Sequence, residues 1–221
     1  KVYHEALRMG VEIYNSLKNI LKYRNAINSV GDEGGFAPNL FKNTDAVEIL
    51  LEAIKVTPYN LGSDVFLGLD IAASQFHSDK GYVIKDRPNA LKTNDFISYL
   101  LELNKKFQLL FFEDPLSEDV WEGWTEITKS IGQDVYIVGD DLIATNPERL
   151  KKAIADKACT AVLLKPNQIG TLTEFLQVVD IAKKNSIHCI VSHRSGETND
   201  TTIADLAVAV QADYVKFGAP A

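Results

Sequence analysis

Six apolar runs in this chain each stop at an ionisable residue, and that recurrence constrains the fold more than any other feature of the sequence. Val65-Phe-Leu-Gly-Leu ends in Asp70, Leu109-Leu-Phe-Phe in Glu113, Val135-Tyr-Ile-Val-Gly in Asp140, Ala161-Val-Leu-Leu in Lys165, Ile187-His-Cys-Ile-Val-Ser in His193, and Asp213-Tyr-Val in Lys216. Short apolar runs bounded by turn residues read as buried strands. Pro166 follows Lys165 at once and cannot donate to a sheet ladder, so the lysine is expected at the lip of a sheet. From Glu113 onward the groups recur roughly every 25 residues, about one strand-helix unit. In a (β/α) barrel the C-terminal edge of the strands is where catalytic residues sit.

The segments between these runs carry helical patterns. Val2, Ala6, Met9, Ile13, Leu17 and Leu21 mark an amphipathic helix from Val2 to about Lys22. Ser29 to Asn39 is a glycine-flexed loop with Asp32 and Glu33 at its centre. Thr44 or Asp45 is expected to cap a helix to about Val56, and Asn94 one to about Phe107. Gly81 to Pro88 reads as a surface excursion, and Glu118 to Trp124 as an acidic segment whose two tryptophans pack under a loop. Thr145-Asn146-Pro147 is a cap-plus-proline start for a helix through Ala155. Further helices are expected from about Thr171 to Lys184 and from Thr201 to Val210. Strand-helix alternation of this kind argues for a parallel sheet, and a TIM-type barrel is the α/β form that sets six charged ends around one mouth.

With 221 residues, 46% of them hydrophobic, the chain can bury a substantial core as a single domain. A net charge of -7 argues against nucleic acid or an anionic membrane as partner, so an anionic ligand must be met by a local cluster. Cys159 and Cys189 lie inside apolar runs without metal-type spacing and read as buried free thiols. No apolar run approaches the ~18 residues of a membrane span and no secretory pattern opens the chain, which points to the cytoplasm. The opening at Lys1 in mid-helix and the stop just after a strand suggest a piece of a longer protein.

Asp70, Glu113 and Asp140, from three consecutive strands, would converge in a barrel, and three hard oxygen donors with room for water suit Mg²⁺. Lys165, His193, Arg194 and Lys216 belong to the same mouth; paired with those acids they would form salt bridges, and with a metal holding the acids they would be free for an anionic substrate. A lysine near a divalent metal and other cations should have a lowered pKa, as a general base needs, and could remove a proton from carbon next to a carboxylate. Glu33 could protonate a leaving hydroxyl, and Arg194 with Ser195 offers the donors for a phosphate.

Gly31-Asp-Glu-Gly-Gly-Phe-Ala-Pro-Asn39, Leu69-Asp-Ile-Ala-Ala-Ser74, Glu113-Asp-Pro, Gly139-Asp-Asp-Leu142, Leu164-Lys-Pro-Asn-Gln-Ile-Gly-Thr171 and Ser192-His-Arg-Ser-Gly-Glu-Thr198 resemble the enolases, the glycolytic phosphopyruvate hydratases, in the family's order and over nearly the whole chain. A Lys or His base with one or two Mg²⁺ ions is a known pattern of that superfamily. The resemblance implies Asp70, Glu113 and Asp140 as Mg²⁺ ligands, Lys165 as base and Glu33 on the acid side. It implies His193, Arg194, Ser195 and Lys216, with Glu113 and Asp140, around a phosphorylated hydroxy-acid substrate. It also implies a homodimer or higher homo-oligomer at full length.

By the family's ββαα(βα)₆ order, residues 1–221 would be a partial barrel domain with about six of eight strands. A smaller N-terminal domain, whose mobile loop carries a serine for a second metal, would precede it, as would the first two strands. Gln75 stands where the family usually has Glu, Pro166 where Val is frequent and Phe217 where Thr is common. Two other readings compete with an active enolase. A racemase or lactonising member of the superfamily usually carries a paired lysine on an early strand and lacks the His193-Arg194-Ser195 turn. A non-catalytic enolase-like binding protein would share these residues and would differ only in assay.

Overall fold

The computed structural model describes residues 2–26 and 29–221; Lys1 lies outside them. Helices α1 (Tyr3–Tyr23) and α2 (Asn43–Lys55) come first and pack on each other. Strand β1 (Gly68–Asp70) is followed by a 3₁₀ turn (Ala73–Phe76), a small hairpin of β2 (His77–Ser78) and β3 (Gly81–Tyr82), and α3 (Thr93–Phe107). Then come β4 (Phe111–Glu113), α4 (Trp121–Ile131), β5 (Tyr136–Gly139), α5 (Pro147–Ala155), β6 (Ala161–Leu164), the short α6 (Pro166–Ile169), α7 (Leu172–Lys184), β7 (His188–Ser192), α8 (Thr202–Ala209) and β8 (Tyr214–Lys216).

Six strands form one parallel sheet in the order β1-β4-β5-β6-β7-β8. Strands β1 and β8 are its two edges, yet Lys216 at the end of β8 reaches Asp70 at the end of β1, with Nζ to Oδ2 at 2.8 Å. The sheet is therefore curled into an incomplete barrel. Register does the rest: Asp70 pairs with Glu113 and Ser192 with Lys216, so the strand-end groups arrive at one rim.

In β6, Ala161 and Leu163 join Val138 inside the curl, while Val162 and Leu164 belong to the larger core under the helices. All four are buried, which is why this strand reads as a continuous apolar run and not as an alternation. Gly68 is required by its neighbour across the ladder, because a Cβ there would lie 2.0 Å from Cε1 of Phe111. Cys159 and Cys189 are free and buried, and burial pushes the Cys159 thiol up to about 12. Among the described residues no helix is long and apolar enough to cross a membrane.

Four local expectations change. Asn94 lies inside α3 and does not cap it; Lys92 is the N-cap residue. The Glu118–Trp124 segment starts a helix, α4, whose Trp124 is fully buried and donates Nε1–H to the Ser117 carbonyl at 3.0 Å. Trp121, Trp124, Ile127 and Ile131 have the 3- and 4-residue spacing of one helix face, a signal that the acidic start obscured. Gly81–Pro88 is not a surface excursion throughout: Tyr82 is 0% exposed, and its N–H and C=O bond to Leu91 at 2.8 and 2.9 Å. Neither Thr44 nor Asp45 caps α2. Lys42 is the N-cap residue; Asp45 accepts its N–H, and Asp86 from the excursion accepts the N–H of Asn43, each at 3.0 Å.

Candidate active site

Asp70 and Glu113, adjacent across the β1–β4 ladder, share one cation, with Lys216 Nζ at 2.8 and 2.7 Å. Glu113 is 2% exposed. Burial, and then the charge of Asp70, push its carboxyl up to about 8, although Lys216 pulls the other way. For Lys216 burial acts to lower the pKa, and the two carboxylates outweigh it, so the ammonium is held above its usual value. One strand further on, Lys165 Nζ lies 2.5 Å from Oδ2 of Asp140, both side chains mostly covered. Oδ1 of Asp140 is buried and has no hydrogen-bond partner among the described residues.

The second wall comes from the glycine-flexed loop and the turn after β7. Glu33 accepts a hydrogen bond from Ser195 Oγ at 2.8 Å on Oε1 and meets His193 Nε2 at 3.2 Å with Oε2. The Ser195 bond is the chief reason its carboxyl is held below the usual range; burial opposes it, and the charges of His193 and Lys216 assist. Gly34, at φ +80°, turns this loop so that the Gly34 carbonyl accepts from Tyr14 OH at 2.7 Å and the Glu33 carbonyl from Ala219 N at 2.9 Å. The acid is thus tied to α1 and to the segment after β8. His193 is 6% exposed and donates its backbone N–H to the Lys216 carbonyl at 2.9 Å. Arg194 is exposed, its Nη1 on Asn167 Oδ1 at 3.0 Å.

A cavity of about 360 Å³ is lined by Glu33, Asp70, Asp140, Lys165, His193, Arg194, Ser195 and Lys216, so eight of the nine residues singled out in the sequence meet in one space. Glu113 does not line it. It lies beneath Lys216 and borders a separate cavity of about 220 Å³ inside the curl.

Two further acids went unassigned in the sequence. Asp114 is buried, at φ +40°, and its Oδ1 and Oδ2 accept the N–H groups of Asp140 and Asp141 at 2.8 Å each. Burial pushes Asp114 up to about 7 against those two bonds. Its neighbour in the Glu-Asp-Pro motif, Glu113, was the only member of the pair that strand-end logic could single out. Among the described residues, Asp114, Asp140 and Asp141 are the one group of three acids that each offer an oxygen within 4.8 Å of the others'. Both oxygens of Asp114 already hold backbone donors, whereas Asp140 Oδ1 holds none. Among the described residues Asp70, Glu113 and Asp140 do not each offer an oxygen within 4.8 Å of the others', yet the orphaned buried oxygen of Asp140 and the two carboxylates gathered on one ammonium are hard oxygen donors of the kind a divalent cation takes.

A curled parallel sheet with acids, lysines and an arginine turn on its strand-end rim is a TIM-type (β/α) barrel domain with its polar site at the C-terminal face. The chain belongs to the enolase family: a family model described as "Enolase, C-terminal TIM barrel domain" matches residues 1–221. It is 49% identical over 219 residues to a protein named Enolase from Beutenbergia cavernae, covering 99% of this chain and 51% of that protein. It is 49% identical over 220 residues to one of the same name from Kineococcus radiotolerans, covering 99% of this chain and 50% of that protein. The chain therefore spans about half the length of the curated relatives it matches.

Proposed function

We propose that this chain is the barrel part of a phosphopyruvate hydratase, which reversibly dehydrates 2-phosphoglycerate to phosphoenolpyruvate and water. The observation that carries the reading is that Lys165, Glu33, His193, Arg194, Ser195 and Lys216 line one cavity with Asp70 and Asp140. Lys165 Nζ takes the proton from the carbon that bears the phosphate, and the bonding pair moves towards the neighbouring carboxylate. The pair then returns to form the carbon–carbon double bond as the hydroxyl leaves the next carbon with a proton from Glu33 and departs as water. Arg194, with its planar fork of donors, Ser195 and His193 hold the phosphate, and Lys216 faces the substrate's carboxylate side.

Asp70, Glu113 and Asp140 would hold Mg²⁺, which when bound supplies positive charge for the oxygens of the carbanionic intermediate. Lys165 and Lys216 pair with those acids here, and with the acids engaged elsewhere both would be free to face the substrate. Glu33 has the opposite requirement. Ser195 is the largest influence holding its carboxyl below the usual range, so a phosphate that takes the Ser195 hydroxyl removes that influence and shifts Glu33 towards the protonated form it must use.

The test is solvent exchange in the full-length protein, followed with 2-phosphoglycerate and Mg²⁺ in heavy water. Deuterium is expected at the phosphate-bearing carbon of recovered substrate. Substrate that binds but never exchanges would favour a non-catalytic binding role.

A further inference from the structure

Lys165 lies beyond the last ladder pair on either side of β6, Gly139 with Val162 and Leu164 with Val191, so strand pairing does not fix its backbone. Its N–H is instead taken by a side chain, Thr145 Oγ1, at 2.9 Å. The same hydroxyl donates to Gln168 Oε1 at 2.7 Å, and Gln168 N–H returns to the Lys165 carbonyl at 2.9 Å. Thr145, Lys165 and Gln168 therefore close a ring of three hydrogen bonds that ties the loop after β5 to α6, with the lysine between them.

The conformation of Thr145 indicates what this ring is worth to the fold. Ala144 and Thr145 are consecutive left-handed residues, at φ +48° and +52°. A β-branched residue there is strained, and glycine or asparagine would adopt the same backbone more easily. Such strain persists where surrounding contacts over-determine it, and it gathers at functional sites. Thr145 is 0% exposed, and its single hydroxyl proton and an oxygen lone pair are both in use.

We propose that Thr145 is a positioning residue for proton abstraction: its hydroxyl sets the Lys165 backbone, and through it where Nζ stands relative to the substrate. The inference rests on Lys165 being the base. Nothing in it requires Thr145 to touch substrate.

The test compares Thr145→Val, which keeps shape and loses the hydroxyl, with Thr145→Ser, which keeps the hydroxyl, in the full-length protein with 2-phosphoglycerate and Mg²⁺. Misplacing a reacting group by an ångström costs on the order of 100-fold, so Thr145→Val is expected to slow exchange of the carbon-bound proton by ~10- to 100-fold with KM changed little. Thr145→Ser is expected to stay within about threefold of the parent, inside the factor one hydrogen bond is worth. Amide hydrogen exchange supplies a readout independent of turnover: protection of the Lys165 N–H should fall in Thr145→Val while that of Val162 and Leu164 holds. Gln168→Ala, which opens the ring from its other side, should show the same pattern more weakly if Thr145→Val does not fold.

Parent-like exchange in Thr145→Val overturns the proposal, as does an equal loss in Thr145→Ser, which would assign the effect to packing. If the unsubstituted protein itself shows no exchange, the reading of Lys165 as base falls first and this inference with it.

Discussion

Lys165→Ala is expected to reduce exchange of the substrate's carbon-bound proton by about 10²- to 10⁴-fold, the range a positioned general base supplies. Affinity for the phosphorylated substrate should survive, because Arg194 and Ser195 approach from the turn after β7 and are held by Asn167 and Glu33, while Lys165 is paired with Asp140. The substitution also removes the cation from Asp140, a mostly covered carboxylate with one oxygen already orphaned. Loss of that competitor should leave Mg²⁺ affinity unchanged or raised. Calorimetric titration of substrate and of Mg²⁺ into the variant, run beside the exchange assay, separates these effects. The mirror variant, Arg194→Ala, should weaken substrate binding while slow exchange persists at saturation. Exchange retained in Lys165→Ala would move the base elsewhere.

Trp124→Ala is expected to cost the most stability of any single truncation outside the site, about 3–5 kcal/mol. The indole is fully buried on α4, and its Nε1–H satisfies the Ser117 carbonyl. Ser117 N–H in turn donates to Tyr82 OH at 3.2 Å, so the ring, the β3 hairpin and the loop leaving β4 are one packed unit. Removing the ring opens a cavity and takes one of two donors from the Ser117 carbonyl, which keeps the Val120 N–H at 3.1 Å. Trp124→Phe, which keeps most of the volume and loses the donor, should cost nearer the ~0.5–1.5 kcal/mol of one hydrogen bond. Chemical denaturation of both variants measures the difference; equal costs would mean that the indole contributes through its N–H and not its bulk.

What the sequence made legible is the part governed by periodicity. Each of the six strand-end groups emerges at the C-terminal end of its strand because an apolar run can stop in only a few ways. The Asn146-Pro147 start is equally local: Asn146 Oδ1 accepts the N–H groups of Glu148 and Arg149, as the residue types predict. The runs overstate the strands, since Val65 to Leu67 precede β1 and Leu109 to Leu110 precede β4; Val65, Leu67 and Leu109 are apolar because they pack on the core, whereas Phe66 is exposed.

The contacts that shape the site were not legible, because they join side chains to groups far along the chain. Lys216 meets Asp70 across 146 residues, and Thr145 meets the Lys165 N–H across 20. No spacing rule encodes either. Asp114 shows the same limit, since its neighbour Glu113 ends the strand while Asp114 turns away to hold the next loop by two backbone donors.

The strand-end groups are proposed to act together, removing a proton next to a carboxylate and expelling a hydroxyl from a phosphorylated substrate. Formation of phosphoenolpyruvate from 2-phosphoglycerate by the full-length protein tests it most directly, measured with and without Mg²⁺ and with the unphosphorylated acid as control. Turnover that needs both the metal and the phosphate is the predicted result. Tight binding of 2-phosphoglycerate with no product at any Mg²⁺ concentration would contradict it.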